Sequence, residues 1–262
     1  MEKSCIRMIR TLNVNCAYAR LAEKSDLFIQ RHLNPEIFFS ADALDCLQID
    51  DLAKQARKLA DAGLTTTIHA TFVDLNPGSL DNYIRLATRA RFEQVFDAAE
   101  ILKPQNIVFH PGYDELRYGD YRRAWLDYSI NFWNDMLPRA RNIGCVIAVE
   151  NIFEKEPSTL LELLEAVDDP FFRHCFDVGH WNMFNTISME EWFSSLGSYV
   201  VEAHIHDNHG QRDEHLPLGE GQINFDMLFT LLNRYAPAAI CTIEAHTDER
   251  LDRAVQNIQK YL

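Results

Sequence analysis

The residues that could do chemistry recur at one place in successive units of this chain. Short apolar runs end on histidine, aspartate or glutamate: "TTTIH" on His69, "IVFH" on His110, "VIAVE" on Glu150, "HCFD" on Asp177 with His180 close behind, "VVEAHIH" on His204 and His206, and "TIE" on Glu244. Imidazole and carboxylate are the ligand set of divalent metals such as Zn, Mn, Fe and Co. A carboxylate emerging from a buried strand is costly to desolvate, and a cation supplies the compensating charge. Taken singly, a histidine at a strand end is more often a hydrogen-bonded structural residue, and a glutamate there could pair with an arginine from a loop. Their coincidence on six successive strand ends is what points to a metal site.

The intervals between His69, His110, Glu150, Asp177, His204 and Glu244 are 41, 40, 27, 27 and 40 residues. Each is about the length of one strand–helix unit, so the residues recur once per unit and converge on one mouth. The strands expected from β-rich runs are 6–14, 36–41, 65–72, 106–112, 145–151, 174–180, 199–207 and 239–246. Helical spacing is clearest over 81–103, with Ile84, Leu86, Ala87, Ala90, Val95 and Ala98 among its apolar positions. Residues 157–167 open on a proline, and 188–197 carry the Ser188/Glu191 capping-box pair and end on Gly197.

Eight strands alternating with helices imply right-handed βαβ units and a parallel sheet. In 262 residues this predicts a single-domain (β/α)8 TIM barrel spanning residues 1–262. An open doubly wound sheet is the alternative, but no G-x-G-x-x-G follows the first strand. In a barrel the active site lies at the C-terminal ends of the strands, where these residues fall.

The formal net charge of −14 gives no broad electrostatic reason to bind nucleic acid or an anionic membrane, and no apolar run is long enough to span one. The six cysteines form no C-x-x-C pair, and without an apolar leader they read as reduced, buried thiols of a cytoplasmic protein. Trp125, Trp133 and Trp192 are expected in packing, Trp181 equally in packing or in a substrate wall, and Arg122 and Arg123 on a solvated helix face.

The motifs "HATFVDLNPGSLD", "HPG", "VEN", "DVGH", "HIHDN" and "DEHLPLGEGQINF" together resemble the xylose isomerase-like TIM barrels over residues 65–246. That superfamily includes sugar isomerases, ketose 3-epimerases and endonuclease IV. The resemblance implies a metal site on Glu150, Asp177, His204 and Glu244, with His204 chosen over His206 because it leads the H-x-x-D pattern. It implies His180 beside the substrate, and Glu150, Glu244 and His180 as the catalytic groups of a metal-assisted proton transfer through an enediolate. The substrate class would be a small sugar, sugar phosphate or polyol-derived ketone. The larger ligand set of endonuclease IV would add His69, His110, His180, Asp213 and His215. The expected cofactor is therefore a divalent metal (Mn, Zn, Co, Fe or Mg), one ion in the simplest case and up to three.

An endonuclease IV-like phosphodiester hydrolase and a metal-dependent dehydratase are the alternatives. "VENIFEKEP" and "DVGHWNMF" depart from the Gly-rich "ENT" and the "DTCH" of endonuclease IV. Arg212 is the cation nearest the expected site and is a candidate for a substrate phosphate or carboxylate, or for the surface. Gly219 and Gly221 are expected to serve backbone conformation. His206 and His209 are the least secure members of their loop. A homo-oligomer is compatible with all of these readings.

Overall fold

Each apolar run pairs in parallel with the next, and the eighth returns to the first. The computed structural model describes residues 10–262. Its strands are β1 (Leu12–Ala17), β2 (Asn34–Phe38), β3 (Thr67–His69), β4 (Asn106–Phe109), β5 (Val146–Glu150), β6 (Phe172–Asp177), β7 (Val200–Ile205) and β8 (Ile240–Ile243), in a closed barrel of that order. The helices are α1 (Tyr18–Arg31), α2 (Ala41–Asp45), α3 (Ile49–Asp61), α4 (Asn82–Leu102), α5 (Glu115–Tyr118), α6 (Arg122–Ile143), α7 (Ser158–Val167), α8 (Val178–Phe184), α9 (Met189–Leu196), α10 (Phe225–Tyr235) and α11 (Asp248–Ile258). The expected (β/α)8 barrel is what the chain forms.

Two layers bury apolar surface differently. Outside the barrel, strand side chains meet the helices in a continuous aromatic and aliphatic core. Trp133 of α6 is fully buried against Phe92 of α4, Phe109 of β4 and Phe172 of β6, with ring centroids 5.4–5.7 Å away. Trp125 and Trp192 are equally buried. Inside the barrel, the usual aliphatic layers are largely replaced by polar ones. Val108, Ala148 and Cys175 form a small apolar patch. Below the mouth, Glu202 accepts from Thr242 Oγ1 at 2.5 Å, Asn106 Nδ2 at 3.0 Å and Thr67 Oγ1 at 3.2 Å.

The register then sets which side chains meet. Asn15 pairs with Glu36, Phe38 with His69, Glu150 with Cys175 and Asp177 with His204. Between β6 and β7 the register shifts after His174, so that Val200 lies opposite His174 but Glu202 opposite Cys175. A bulge of this kind re-aims the following residues, and here it brings Asp177 and His204 side by side.

Several sequence expectations need correction. The first strand, expected over 6–14, runs from Leu12 to Ala17 within the described residues; positions 6–9 lie outside them. β3 stops at His69 because residues 70–72 leave the sheet toward the barrel mouth. The capping box of α9 forms, but Gly197 keeps a right-handed conformation (φ −57°) against Tyr235 instead of closing the helix in the left-handed one. In α4 the expected apolar stripe splits: Val95 and Ala98 are buried, whereas Ile84, Leu86, Ala87 and Ala90 are exposed. Periodicity identified the helix, but its first turns project beyond the barrel wall. Cys46 is exposed, while Cys16, Cys145, Cys175 and Cys241 are buried free thiols.

His174 gives the fold a pH dependence. Its Nδ1–H donates to Val149 O at 2.8 Å, and Trp192 Nε1–H points to its Nε2 at 3.5 Å. Burial lowers its pKa to about 4. The neutral ring is the folded form, so its contribution is present above about pH 6.5 and is lost as pH falls toward 4, on the order of 3 kcal/mol in full. Urea unfolding across that window should show the decline, and a His174→Gln variant should show a shallower slope.

Candidate metal centre

The sheet delivers its polar residues to one mouth in two tiers. At the floor, His204 of β7 lies wholly inside the barrel. Its Nε2 is 3.2 Å from Glu36 Oε2, and Asn15 Nδ2 donates to the other Glu36 oxygen at 2.9 Å. With Nε2–H given to Glu36, Nδ1 faces three carboxylates: Glu150 Oε1 at 3.4 Å, Glu244 Oε1 at 3.5 Å and Asp177 Oδ2 at 3.7 Å. Asp177 is also fixed from behind, because its own backbone is bracketed by Asn151, whose Nδ2 donates to Asp177 O and whose Oδ1 accepts from Asp177 N. Its Oδ1 accepts from His180 N, capping α8 and aiming the His180 ring into the mouth.

Around this floor lie two further groups. His69 Nε2 and His110 Nε2 approach Glu150 Oε2 at 3.3 and 3.2 Å. On the other side, Asp213 takes His215 Nε2 at 2.9 Å, with His180 Nε2 and His206 Nδ1 each 3.6 Å from its carboxylate. Glu150 joins the first group to the floor, and Glu244, 3.6 Å from His215 Nδ1, joins the second.

The loop after β7 carries Asp213 and His215, and it is held rigidly. Asp207 and Leu216 exchange two backbone hydrogen bonds, and Arg250 of α11 donates to the carbonyls of Glu214 and His215. His215 sits at φ 47°, a left-handed conformation uncommon for a residue with a side chain, and the surrounding bonds hold it there. Gly219 adopts φ 85°, and a Cβ on Gly221 would lie 2.4 Å from Asp207 Oδ1, so both glycines serve the backbone as expected.

The charge states follow from burial and from these neighbours. Burial would raise Glu150, but His204 and His110 more than offset it and hold the carboxyl well below its ordinary value. Asp177 and Asp213 are likewise held low against burial by the histidines around them. Burial would lower His69, yet Glu150 and Glu36 lift it to about 9; against the same burial His180 is raised by Asp177, Asp213 and Glu150, and His204 by Cys175, Glu36, Glu244 and Glu150. His110 remains lowered, its burial outweighing Glu150. Glu150, Asp177 and Asp213 are thus ionised carboxylates stabilised by imidazoles, and a cation would displace the protons of the imidazoles that ligate it.

Whether a metal fits can be read from the orphaned atoms. Glu150 Oε2 and the Nδ1 atoms of His180, His204, His206 and His215 are buried without any hydrogen-bond partner. Their N···O approaches lack hydrogen-bond geometry, yet they cluster at 3.2–3.7 Å. Ligand atoms sharing a cation with bonds of about 2.1 Å lie roughly 3.4 Å apart in a tetrahedral shell. Buried polar atoms without partners are costly, and such a donor set suits a divalent ion. The residues therefore fit the group that the sequence implies.

The cavity above these residues measures about 1020 Å³. His69, His110, Glu150, His180, Asp213, His215 and Glu244 line it, over the wholly buried Asp177 and His204. Arg212 is exposed and does not line it; Arg117 of α5 does. Trp181 is half-buried against the core and takes no part in the wall. His209 is exposed and bonded to Glu214, whereas His206 is wholly buried, with Nε2 3.1–3.2 Å from both Asp177 oxygens. Sequence reading missed Glu36 and Glu202, and it underrated His206. Glu202 and His206 were detectable, because they share one strand face with His204 by the period of two, whereas Glu36 merely precedes the apolar run Ile37–Phe39.

A family model described as xylose isomerase-like TIM barrel matches residues 34–261. The chain belongs to this family. An uncharacterized protein of Methanocaldococcus jannaschii, MJ1311, is 29% identical over 202 residues, covering 74% of this chain and 69% of that protein. Among solved structures, a D-tagatose 3-epimerase-like protein superposes with a TM-score of 0.80 at 24% identity, covering 96% of each chain. The TTHB071 protein of Thermus thermophilus, from a crystal soaked with ZnCl2, gives the same TM-score at 22% identity, covering 96% of this chain and 97% of that one. These superpositions extend the barrel likeness to nearly the whole chain.

A direct test is thermal. Chelator-stripped protein titrated with Zn2+ or Mn2+ should rise in Tm, by the equivalent of about 2.7 kcal/mol at a hundredfold excess over Kd. Asp177→Asn should remove most of that rise, while Asp213→Asn should leave the part owed to the floor. No rise with either ion in the parent protein would count against a metal centre here.

Proposed function

We propose that this chain is a divalent-metal-dependent isomerase or epimerase acting on a small sugar, sugar phosphate or polyol-derived ketone. The observation that carries this reading is the pair Glu150 and Glu244, two carboxylates that both approach His204 Nδ1 and both face the cavity. A divalent cation held by Glu150, Asp177, His204 and Glu244 supplies Lewis acidity toward a carbonyl and its neighbouring hydroxyl.

The rest is work for the protein's own groups. Glu150, kept ionised by its histidines, is placed to take the proton from the carbon beside the carbonyl. Glu244, from a strand three places further round the barrel, is placed to return a proton, giving an epimer or isomer through an enediolate. His180 contacts Glu150, Asp177 and Asp213 and is held in its protonated form, which suits it to polarise the carbonyl oxygen. Phe72, stacked on His110 with centroids 4.2 Å apart, covers one side of the floor and limits the approach of water. Membership of the xylose isomerase-like family over residues 34–261 supports sugar isomerase-type chemistry in this cavity.

A second reading, an endonuclease IV-like hydrolase, draws on one specific observation. His69, His110 and Glu150 form one further potential ligand group, and Asp213 with its histidines forms another. Against it, Arg117 is the only lysine or arginine among the described residues of the cavity wall, which suits a phosphodiester backbone poorly.

Metal-loaded protein incubated with ketoses in D2O should exchange the carbon-bound proton, read by NMR. Glu150→Gln should slow that exchange on the order of 10²- to 10⁴-fold. Cleavage of abasic-site DNA, together with three metal ions per chain and no exchange into any ketose, would replace the isomerase reading with the hydrolytic one.

A further inference from the structure

In TIM barrels a substrate phosphate is commonly held by the loops after the seventh and eighth strands and by a helix N-terminus nearby. Here that place is closed to anions in three ways. The backbone N–H groups of Gly219, Gly221 and Ile223 do converge on an anion, but it is the chain's own Asp207 carboxylate, at 2.9, 2.9 and 3.1 Å. The first turn of α11 is capped by Thr247 and carries Asp248 and Glu249. Arg250, the cation of that turn, is committed to the carbonyls of Glu214 and His215.

The remainder of the cavity offers an anion little else. Its wall presents Asp74, Asp114 and Asp213 against the single exposed Arg117. Its outer part is apolar. Phe153 meets Phe184 edge to face at 5.3 Å, and Met183, Leu75, Ile84 and Val73 continue the surface. Phe153 is 47% exposed and Val73 67% exposed, so this apolar rim is left open to solvent. A cavity of about 1020 Å³ is also large: pockets of roughly 300–1,000 Å³ hold drug-sized molecules, and a lone six-carbon sugar fills only a fraction of that.

We propose that the substrate is an uncharged sugar derivative, with its keto-polyol end on the histidine–carboxylate floor and an apolar or aryl group against Phe153 and Phe184, and that phosphate esters are excluded. This rests on the sugar-binding reading of the same cavity. It narrows that reading to an uncharged substrate, because a phosphate would be desolvated here beside Asp74, Asp114 and Asp213 with Arg117 as the one arginine or lysine of the described wall to replace its water.

The test uses metal-loaded full-length protein and three matched probes for each ketohexose stereoisomer: the free sugar, its 6-phosphate and its 6-O-benzyl ether. Calorimetry gives Kd, and D2O exchange is read in parallel. In the stereochemical series that binds tightest, the benzyl ether should bind about tenfold or more tighter than the phosphate. Phe153→Ser should narrow the ratio between benzyl ether and free sugar. A phosphate that binds as tightly as the benzyl ether, or a benzyl ether that does not bind in any series, overturns the inference. Benzyl-ether preference without proton exchange in any series leaves the inference standing and removes the isomerase chemistry instead.

Discussion

Everything at the mouth of this barrel depends on how negative charge is kept in a dry interior. Glu36, Glu150, Asp177 and Glu202 are wholly or almost wholly buried, and Glu244 is nearly so. An isolated carboxylate in such a place would take up a proton sooner than remain charged. Two solutions operate a few ångströms apart. Glu202 is pushed up to about 7 by burial and by the charge of Glu36, against the hydroxyl and amide that donate to it, and lies closest to the neutral form. Glu150 and Asp177, surrounded by imidazoles, are driven the other way. One barrel thus separates a structural, half-neutral carboxyl from chemically competent ones by the company each keeps.

The same constraint explains the second tier of residues. Glu36 touches nothing in the cavity, yet by accepting Nε2–H it fixes the ring of His204 with Nδ1 toward the three carboxylates. Carboxylate–histidine pairing of this kind orients a ligand and raises its basicity. Asp207 does the corresponding work for the loop after β7. Four backbone N–H groups, those of Asn208, Gly219, Gly221 and Ile223, close on its carboxylate. The loop can then hold His215 in a left-handed conformation and set Asp213 against three imidazoles. The floor and the loop therefore meet at Glu244, beside His215, and through His180 and His206, which lie between Asp177 and Asp213.

The sequence made the barrel and the upper tier of the site legible because both follow from short-range rules. Apolar runs ending in His, Asp or Glu recur once per strand–helix unit, so His69, His110, Glu150, Asp177, His204 and Glu244 could be placed on one rim without coordinates. Glu36 could not be assigned a role in the same way. In "NPEIFFSA" it is one polar residue in a strand, and only closure of β1 and β2 against the rest brings it to His204, 168 residues away. The first turns of α4 were misjudged for a related reason. A helical stripe says which residues share a face, and not whether that face meets core or cavity rim.

Substrate charge and the number of cations are linked through the same electrostatics. Glu36, Glu150, Asp177, Glu244 and Asp213 bring five formal negative charges to the cluster, each within 3.5 Å of a histidine nitrogen. Three divalent cations would exceed those charges and leave a positive site, suited to an anionic phosphodiester and an attacking hydroxide. One cation would leave those carboxylates in excess, offset only in part by the protonated His69 and His180, and such a site would accept a neutral ketone more readily than a phosphate. The filled anion nest at Asp207, the acidic start of α11 and the carboxylates of the cavity wall all lie on the side of the neutral substrate. The raised His69 and His180 then act as proton-bearing counter-charges that keep Glu150 ionised, while His110 and His215 hold Glu150 and Glu244 in place.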